Sequence, residues 1–104
     1  MAITVKTKFL NVDTILVRAY IYSLSGTLVN TAAITIDIYS PSGTKVIDGA
    51  AMSNTDTGIY DYYYHKGVSQ NTLTSGKYRG VIKARDGESD DAVFSTGSFA
   101  FEVE

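Results

Sequence analysis

Hydrophobic and polar residues alternate with a period of two along most of this chain, and no stretch carries the three-to-four-residue spacing of an amphipathic helix. Ile3, Val5, Thr7 and Phe9 alternate with Thr4, Lys6 and Lys8. Ile15, Val17, Ala19 and Ile21 alternate with Leu16, Arg18, Tyr20 and Tyr22, and Ile34, Ile36 and Ile38 with Thr35, Asp37 and Tyr39. Each run predicts a half-buried strand, because successive side chains of a strand point to opposite faces. Further strands are predicted over residues 59–65, 77–85 and within 93–103. A short strand is expected at 45–47, and 51–54 is a second short candidate whose sheet the pattern leaves open. Thr96-Gly97-Ser98 is a candidate bulge in the last strand.

Turn residues punctuate these runs. Ser25-Gly26 closes one, and Ser40-Pro41-Ser42-Gly43 places the lone proline where its fixed φ suits a turn. Residues 66–75 form the longest polar connection, and Asp86-Gly87 opens the last loop. Short strands with frequent turns predict an all-β, seven-stranded antiparallel sandwich, with residues 1–104 as a single domain.

Composition narrows the chemistry. The 104 residues suffice for one core, and folding at this size buries about 65% of the unfolded surface. Hydrophobic residues make up 44%, so stability must come from packing, because there is no cysteine to form a disulfide. The same absence removes thiol catalysis and thiolate zinc sites. The formal charge of −2 gives no basic field for nucleic acid. No apolar run reaches the ~20 residues of a membrane span, so membrane insertion is not expected. Residues 1–10 lack the continuous apolar core of a signal peptide. Two readings follow: the protein stays where it is made, or a leader has been removed.

Two Gly-x-Tyr strand starts, Gly58-Ile59-Tyr60 and Gly76-Lys77-Tyr78, precede the alternating Ser98-Phe99-Ala100-Phe101-Glu102-Val103. In this order they resemble the last three strands of immunoglobulin-like domains of the filamin and macroglobulin type. Residues 22–49, with a glycine turn and a Pro-x-Gly turn, resemble the preceding region of the same family. Filamin-like domains usually begin the last strand with Ser-Pro-Phe; here it reads Ser98-Phe99. The chain also resembles small immunoglobulin-like proteins of bacteriophage structural operons. The resemblance implies an E-set immunoglobulin-like sandwich. It puts the strands at 3–9, 15–22 and 59–65 in one sheet and those at 34–39, 77–85 and 93–103 in the other. It further implies that Tyr60, in Asp56-Thr57-Gly58-Ile59-Tyr60, bonds main chain through its phenol as in a tyrosine corner. A fold of this kind does not fix a function.

The chemistry-bearing residues are few. His65 is the single histidine and has no cysteine or second histidine with which to hold a metal, nor a nucleophile motif beside it. Asp86-Gly87-Glu88-Ser89-Asp90-Asp91 is acidic but lacks EF-hand spacing and reads as a solvated loop, with a weak cation site as its alternative. No enzyme activity, metal or cofactor is expected. With Ile15, Val17, Ala19 and Ile21 inward, and with Tyr60, Tyr62 and Tyr64 inward on a neighbouring strand as the resemblance implies, the opposite face collects Leu16, Arg18, Tyr20, Tyr22, Ile59, Tyr63 and His65, and Arg18 can pair with Asp61. Tyrosine and arginine are enriched at protein interfaces. Arg18, Tyr20, Tyr22, Tyr63 and His65 are therefore the partner-binding candidates. The other sheet offers Thr35, Asp37, Tyr39, Lys77, Arg79, Val81, Lys83, Arg85, Ala100 and Glu102, a mixed and solvated face. The expected function is a non-enzymatic structural or protein-binding module, in a virion or other surface assembly, meeting a protein partner or a copy of itself. The alternative is a carbohydrate-binding module that stacks sugars on the tyrosines. Tyr60, Tyr62, Tyr78, Ile36 and Phe101 are predicted to be buried.

Overall fold

A computed structural model describes residues 2–11, 14–31, 33–65, 74–86 and 93–103. Eight strands follow in chain order: β1 Ala2–Asn11, β2 Thr14–Tyr22, β3 Ala33–Tyr39, β4 Lys45–Ala51, β5 Ser53–Asp56, β6 Ile59–Tyr64, β7 Gly76–Asp86 and β8 Val93–Val103. They form two antiparallel four-stranded sheets, ordered β1-β2-β6-β5 and β4-β3-β7-β8. The predicted split of the six main strands between two sheets holds. The count is eight rather than seven, because both short segments in residues 45–56 become strands of different sheets. The chain changes sheet at Met52, which is buried and whose N–H donates to the Ile34 carbonyl at 3.4 Å.

The inner faces share one core. Ile15, Val17, Ala19 and Ile21 of β2 and Ile36, Ile38, Ile82 and Ala84 of the opposite sheet are fully buried. At one end the core becomes aromatic. Phe101 stacks on Tyr78 at 5.0 Å, lies 6.1 Å from Tyr64 and takes the edge of Phe9 at 6.2 Å. Of the five residues predicted to be buried, Tyr60, Tyr78, Ile36 and Phe101 are; Tyr62 is only half-buried. It pairs with Val17 of β2, and its side chain packs against the core cluster without being enclosed by it.

The two Gly-x-Tyr starts share a physical basis. Gly58 and Gly76 have φ of 71° and 129°, where a side chain is strained. A Cβ on Gly58 would also lie 2.9 Å from the Leu28 side chain and from the Val29 backbone. Each glycine turns the chain so that the tyrosine two residues later enters the core. The Tyr60 hydroxyl accepts the Thr31 N–H at 3.0 Å and lies 3.4 Å from the Thr31 carbonyl, so the phenol does bond main chain, across 29 residues.

Two irregularities depart from the expected strands. The β7–β8 ladder runs without a register shift from Gly76–Val103 to Asp86–Val93, so there is no bulge at Gly97. Gly97 is instead a point of close approach, since a Cβ there would meet the Ile3 side chain of β1 at 2.8 Å. Register shifts lie instead in β4, where Asp48 and Gly49 together face Asp37 and Val46 is a further unpaired position, and also between Phe9 and Asn11 of β1 and between Asn54 and Asp56 of β5.

Candidate functional site

Register builds the outer face of the first sheet row by row. Lys6 of β1, Arg18 of β2, Asp61 of β6 and Ser53 of β5 stand in one line across the sheet. Thr4, Tyr20 and Ile59 form the next row, and Lys8, Leu16 and Tyr63 the row on the other side. Tyr22 pairs with Ala2 and, through an isolated bridge, with Leu28. Directly opposed residues in an antiparallel ladder share a face. The structure thus brings Arg18, Tyr20, Tyr22 and Tyr63 together as expected. His65 lies apart: β6 ends at Tyr64, and His65 follows the strand at φ 68°, half-buried, with its ring 5.8 Å from that of the inward-facing Tyr64. It stands outside the paired rows that hold the other four candidates.

Asp61 is the centre of this face. Arg18 donates Nε to Oδ1 at 2.8 Å and Nη2 to Oδ2 at 2.9 Å, a two-pronged pair that matches guanidinium to carboxylate. The expected pairing is present, but the expected exposure of Asp61 is not. Its residue exposure is 3%, although it points toward solvent. The Arg18 guanidinium of the same row lies on both carboxylate oxygens. The Asp61 hydrogen bond holds the Arg18 guanidinium further above its already high range, with Tyr20 adding to the effect. Tyr63 is 41% exposed, while Tyr20 and Tyr22 are half-buried.

Lys6 and Lys8 were not among the residues singled out from sequence. They alternate outward on β1, beside β2, and the Lys6 ammonium lies 5.6 Å from the Tyr20 ring centroid, within cation–π range. With Leu16, Arg18 and Tyr20 they line a hollow of about 290 Å³. The signal for them was present in the sequence: the strand at 3–9 precedes the strand at 15–22 by a short connection, so the two pair as antiparallel neighbours and share an outer face.

The opposite outer face is built on the same plan. Asp37 of β3, expected in solvent, is 5% exposed. It accepts the Gly49 N–H at 2.7 Å, and Lys83 and Lys45 approach at 3.6 and 4.0 Å. Asp48, first, and Asp37 push the Lys45 ammonium above its ordinary value. Lys77, Arg79, Lys83, Ala100 and Glu102 are exposed as expected. Among the described residues no group of three or more His, Asp or Glu side chains could hold a metal ion. Most of the acidic segment, residues 87–91, lies outside the described residues. No helix of the structure is long and apolar enough to cross a membrane.

Comparison of the chain with protein-family models, with curated proteins and with solved structures gives no match.

Proposed function

We propose that this chain is an immunoglobulin-like β-sandwich acting as a non-enzymatic structural or protein-binding module, a component of a larger surface assembly such as a bacteriophage virion. Its contact surface is the outer face of the β1-β2-β6-β5 sheet. One observation carries the reading: register places Tyr20, Tyr22 and Tyr63 on a rigid four-stranded ladder around the Arg18–Asp61 pair, with Lys6 and Lys8 beside them. Tyrosines present large, stiff, amphipathic area at little entropic cost, and such residues supply most interface energy. The immunoglobulin-like assignment draws on the two four-stranded sheets, on the change of sheet at Met52 and on the Tyr60 phenol bonded to main chain.

Capture of partners from the source cells on immobilised protein, identified by mass spectrometry, tests the reading. A protein retained by the natural chain and lost from a Tyr20→Ser, Tyr63→Ser variant supports it. Retention of a glycan instead, lost with Tyr63, would replace it with the carbohydrate-binding alternative.

A further inference from the structure

The outer face of β1 and β2 carries charge of one sign. Its charged residues are Lys6, Lys8 and Arg18, all cationic, in a chain whose formal charge is −2. Arg18 is matched by Asp61 of β6. Lys6 and Lys8 are exposed and in no ion pair among the described residues. The register leaves them so: Lys6 stands opposite Arg18 and Lys8 opposite Leu16, and neither has an acid across the ladder. Like charges directly opposite one another destabilise a sheet, so the Lys6–Arg18 juxtaposition does not serve the fold. Lys6 leans instead over the Tyr20 ring. Among these cations lies the hollow of about 290 Å³, whose lining includes Leu16 and Tyr20, both half-buried.

We propose that the hollow between β1 and β2 takes an acidic segment of a partner protein, with one apolar side chain seated on Leu16 and Tyr20 and carboxylates on Lys6 and Lys8. The inference rests on the reading of this face as a protein contact and gives the partner its chemistry. Lys6 and Lys8 are two residues apart on one strand, ~7 Å, so their ammonium groups can receive separate carboxylates on either side of one apolar group. An apolar side chain entering a pocket is the usual anchor of an interface, and matched charge around it speeds encounter and rejects wrong partners. Leu16 favours a protein segment over an acidic polysaccharide, which has no aliphatic side chain to place against it. The chain's own acids favour a foreign partner over a second copy. Among the described residues the exposed acids Asp48, Asp56 and Glu102 stand on three different strands, so no strand offers two of them together.

Three capped heptapeptides test the inference. The first has glutamate at its second and sixth positions, leucine at the fourth and serine elsewhere. The second replaces both glutamates with lysine, and the third replaces the leucine with serine. Each is titrated into isotope-labelled protein, with amide shifts read residue by residue. The first peptide is expected to shift amides from Lys6 to Lys8 and from Leu16 to Tyr20, and to bind at least about tenfold more tightly than the lysine peptide. It should also bind at least about threefold more tightly than the leucine-free peptide, and weaken by at least about threefold between roughly 0.05 and 0.5 M salt. A Lys6→Gln, Lys8→Gln variant is expected to bind the glutamate and lysine peptides alike. Equal binding of the three peptides by the natural chain, shifts confined to the other sheet, or no binding at millimolar peptide overturns the proposal. So does binding of heparin without binding of the first peptide, or concentration-dependent dimerisation that shifts the same amides with no peptide present. The two readings fail separately. A captured protein that is lost with Tyr20 and Tyr63 but held unchanged by the Lys6→Gln, Lys8→Gln variant overturns this inference and leaves the contact face standing. Peptide binding as expected, with no protein lost when the tyrosines are replaced, overturns the wider face and leaves the acidic site.

Discussion

Arg18 and Asp61 stand directly opposite one another in the β2–β6 ladder, and the two-pronged bond between them buries a carboxylate on the solvent side of the sheet. The pair is asymmetric: the Asp61 side chain is 2% exposed and the Arg18 side chain 39%. Removing either partner therefore has unequal consequences. Arg18→Met leaves a buried carboxylate with neither of its guanidinium donors, whereas Asp61→Asn leaves a cation that can turn to water. Thermal unfolding should show Arg18→Met lowering the midpoint by about 5 °C or more, and further than Asp61→Asn does. An Arg18→Met, Asp61→Leu double variant should regain much of the loss, because apolar replacement of a whole buried pair is often neutral. Equal effects of the two single changes would show that burial of Asp61 does not dominate.

Gly80 and Phe99 are cross-strand neighbours, and the Phe99 ring lies where a Gly80 side chain would be. A methyl at Gly80 must displace the ring from beside Phe101, on which it stacks at 6.4 Å. Gly80→Ala should cost ~1–3 kcal/mol, the usual range for overpacking. In a Phe99→Ala background the same change should cost well under ~1 kcal/mol, since the obstacle is gone. Denaturant midpoints of the four proteins give both values.

Tyr60 acts through its ring in the core and through its hydroxyl on Thr31. Tyr60→Phe keeps the ring and leaves the Thr31 N–H without that acceptor, so it should cost ~1 kcal/mol. Tyr60→Ala removes both and should cost ~3–5 kcal/mol, as should Phe101→Ala at the centre of the aromatic cluster. A loss below ~1 kcal/mol for either alanine variant would contradict the inward assignment.

Burial pushes the Tyr62 and Tyr64 phenols above their ordinary value of 10.0, and Tyr78 and Tyr62 add to the rise at Tyr64. A raised folded value means that the native chain keeps protons the unfolded chain has released. Their contribution is complete below pH ~10 and is lost as pH climbs through the folded values. Urea midpoints should therefore fall above pH ~10, and a Tyr62→Phe, Tyr64→Phe variant should fall less steeply. An identical slope in the variant would assign alkaline unfolding to other groups.

The six main strands were legible because each turns one apolar face toward the core, and period-two alternation records that choice of face. Residues 45–56 were harder. β4 and β5 are edge strands with few inward side chains, and the buried residue that marks the change of sheet, Met52, is a single position without a period. Asp61 and Asp37 illustrate a second limit. Alternation correctly sent both outward, but the groups that meet them, Arg18 at Asp61 and the Asp48-Gly49 bulge and Lys83 at Asp37, come from distant parts of the chain. At the candidate site the tyrosines were readable from β2 and β6 alone. Lys6 and Lys8 required the β1–β2 register as well. His65 was misplaced because the alternation was carried one residue past the last paired position, Tyr64.

The working face can be tested by setting like against like. Tyr20 and Tyr63 flank the Arg18–Asp61 row on the first sheet, while Tyr39 lies on the outer face of the second, beneath the Lys45 ammonium at 5.6 Å. All three are strand tyrosines at least partly open to solvent and outside the core. Serine at Tyr20 and Tyr63 should leave the melting temperature within a few degrees of the natural chain, since neither ring is part of the core. If the first sheet meets the partner, that double variant should weaken binding by about 100-fold, the scale expected when two aromatic anchors are lost at ~1–2 kcal/mol each. Tyr39→Ser should change affinity by less than about threefold, because its ring faces away from the contact. Binding lost with Tyr39 and kept without Tyr20 and Tyr63 would move the working surface to the other sheet. A large fall in melting temperature for the double variant would mean that these rings support the fold, and the face would lose its claim as a free binding surface.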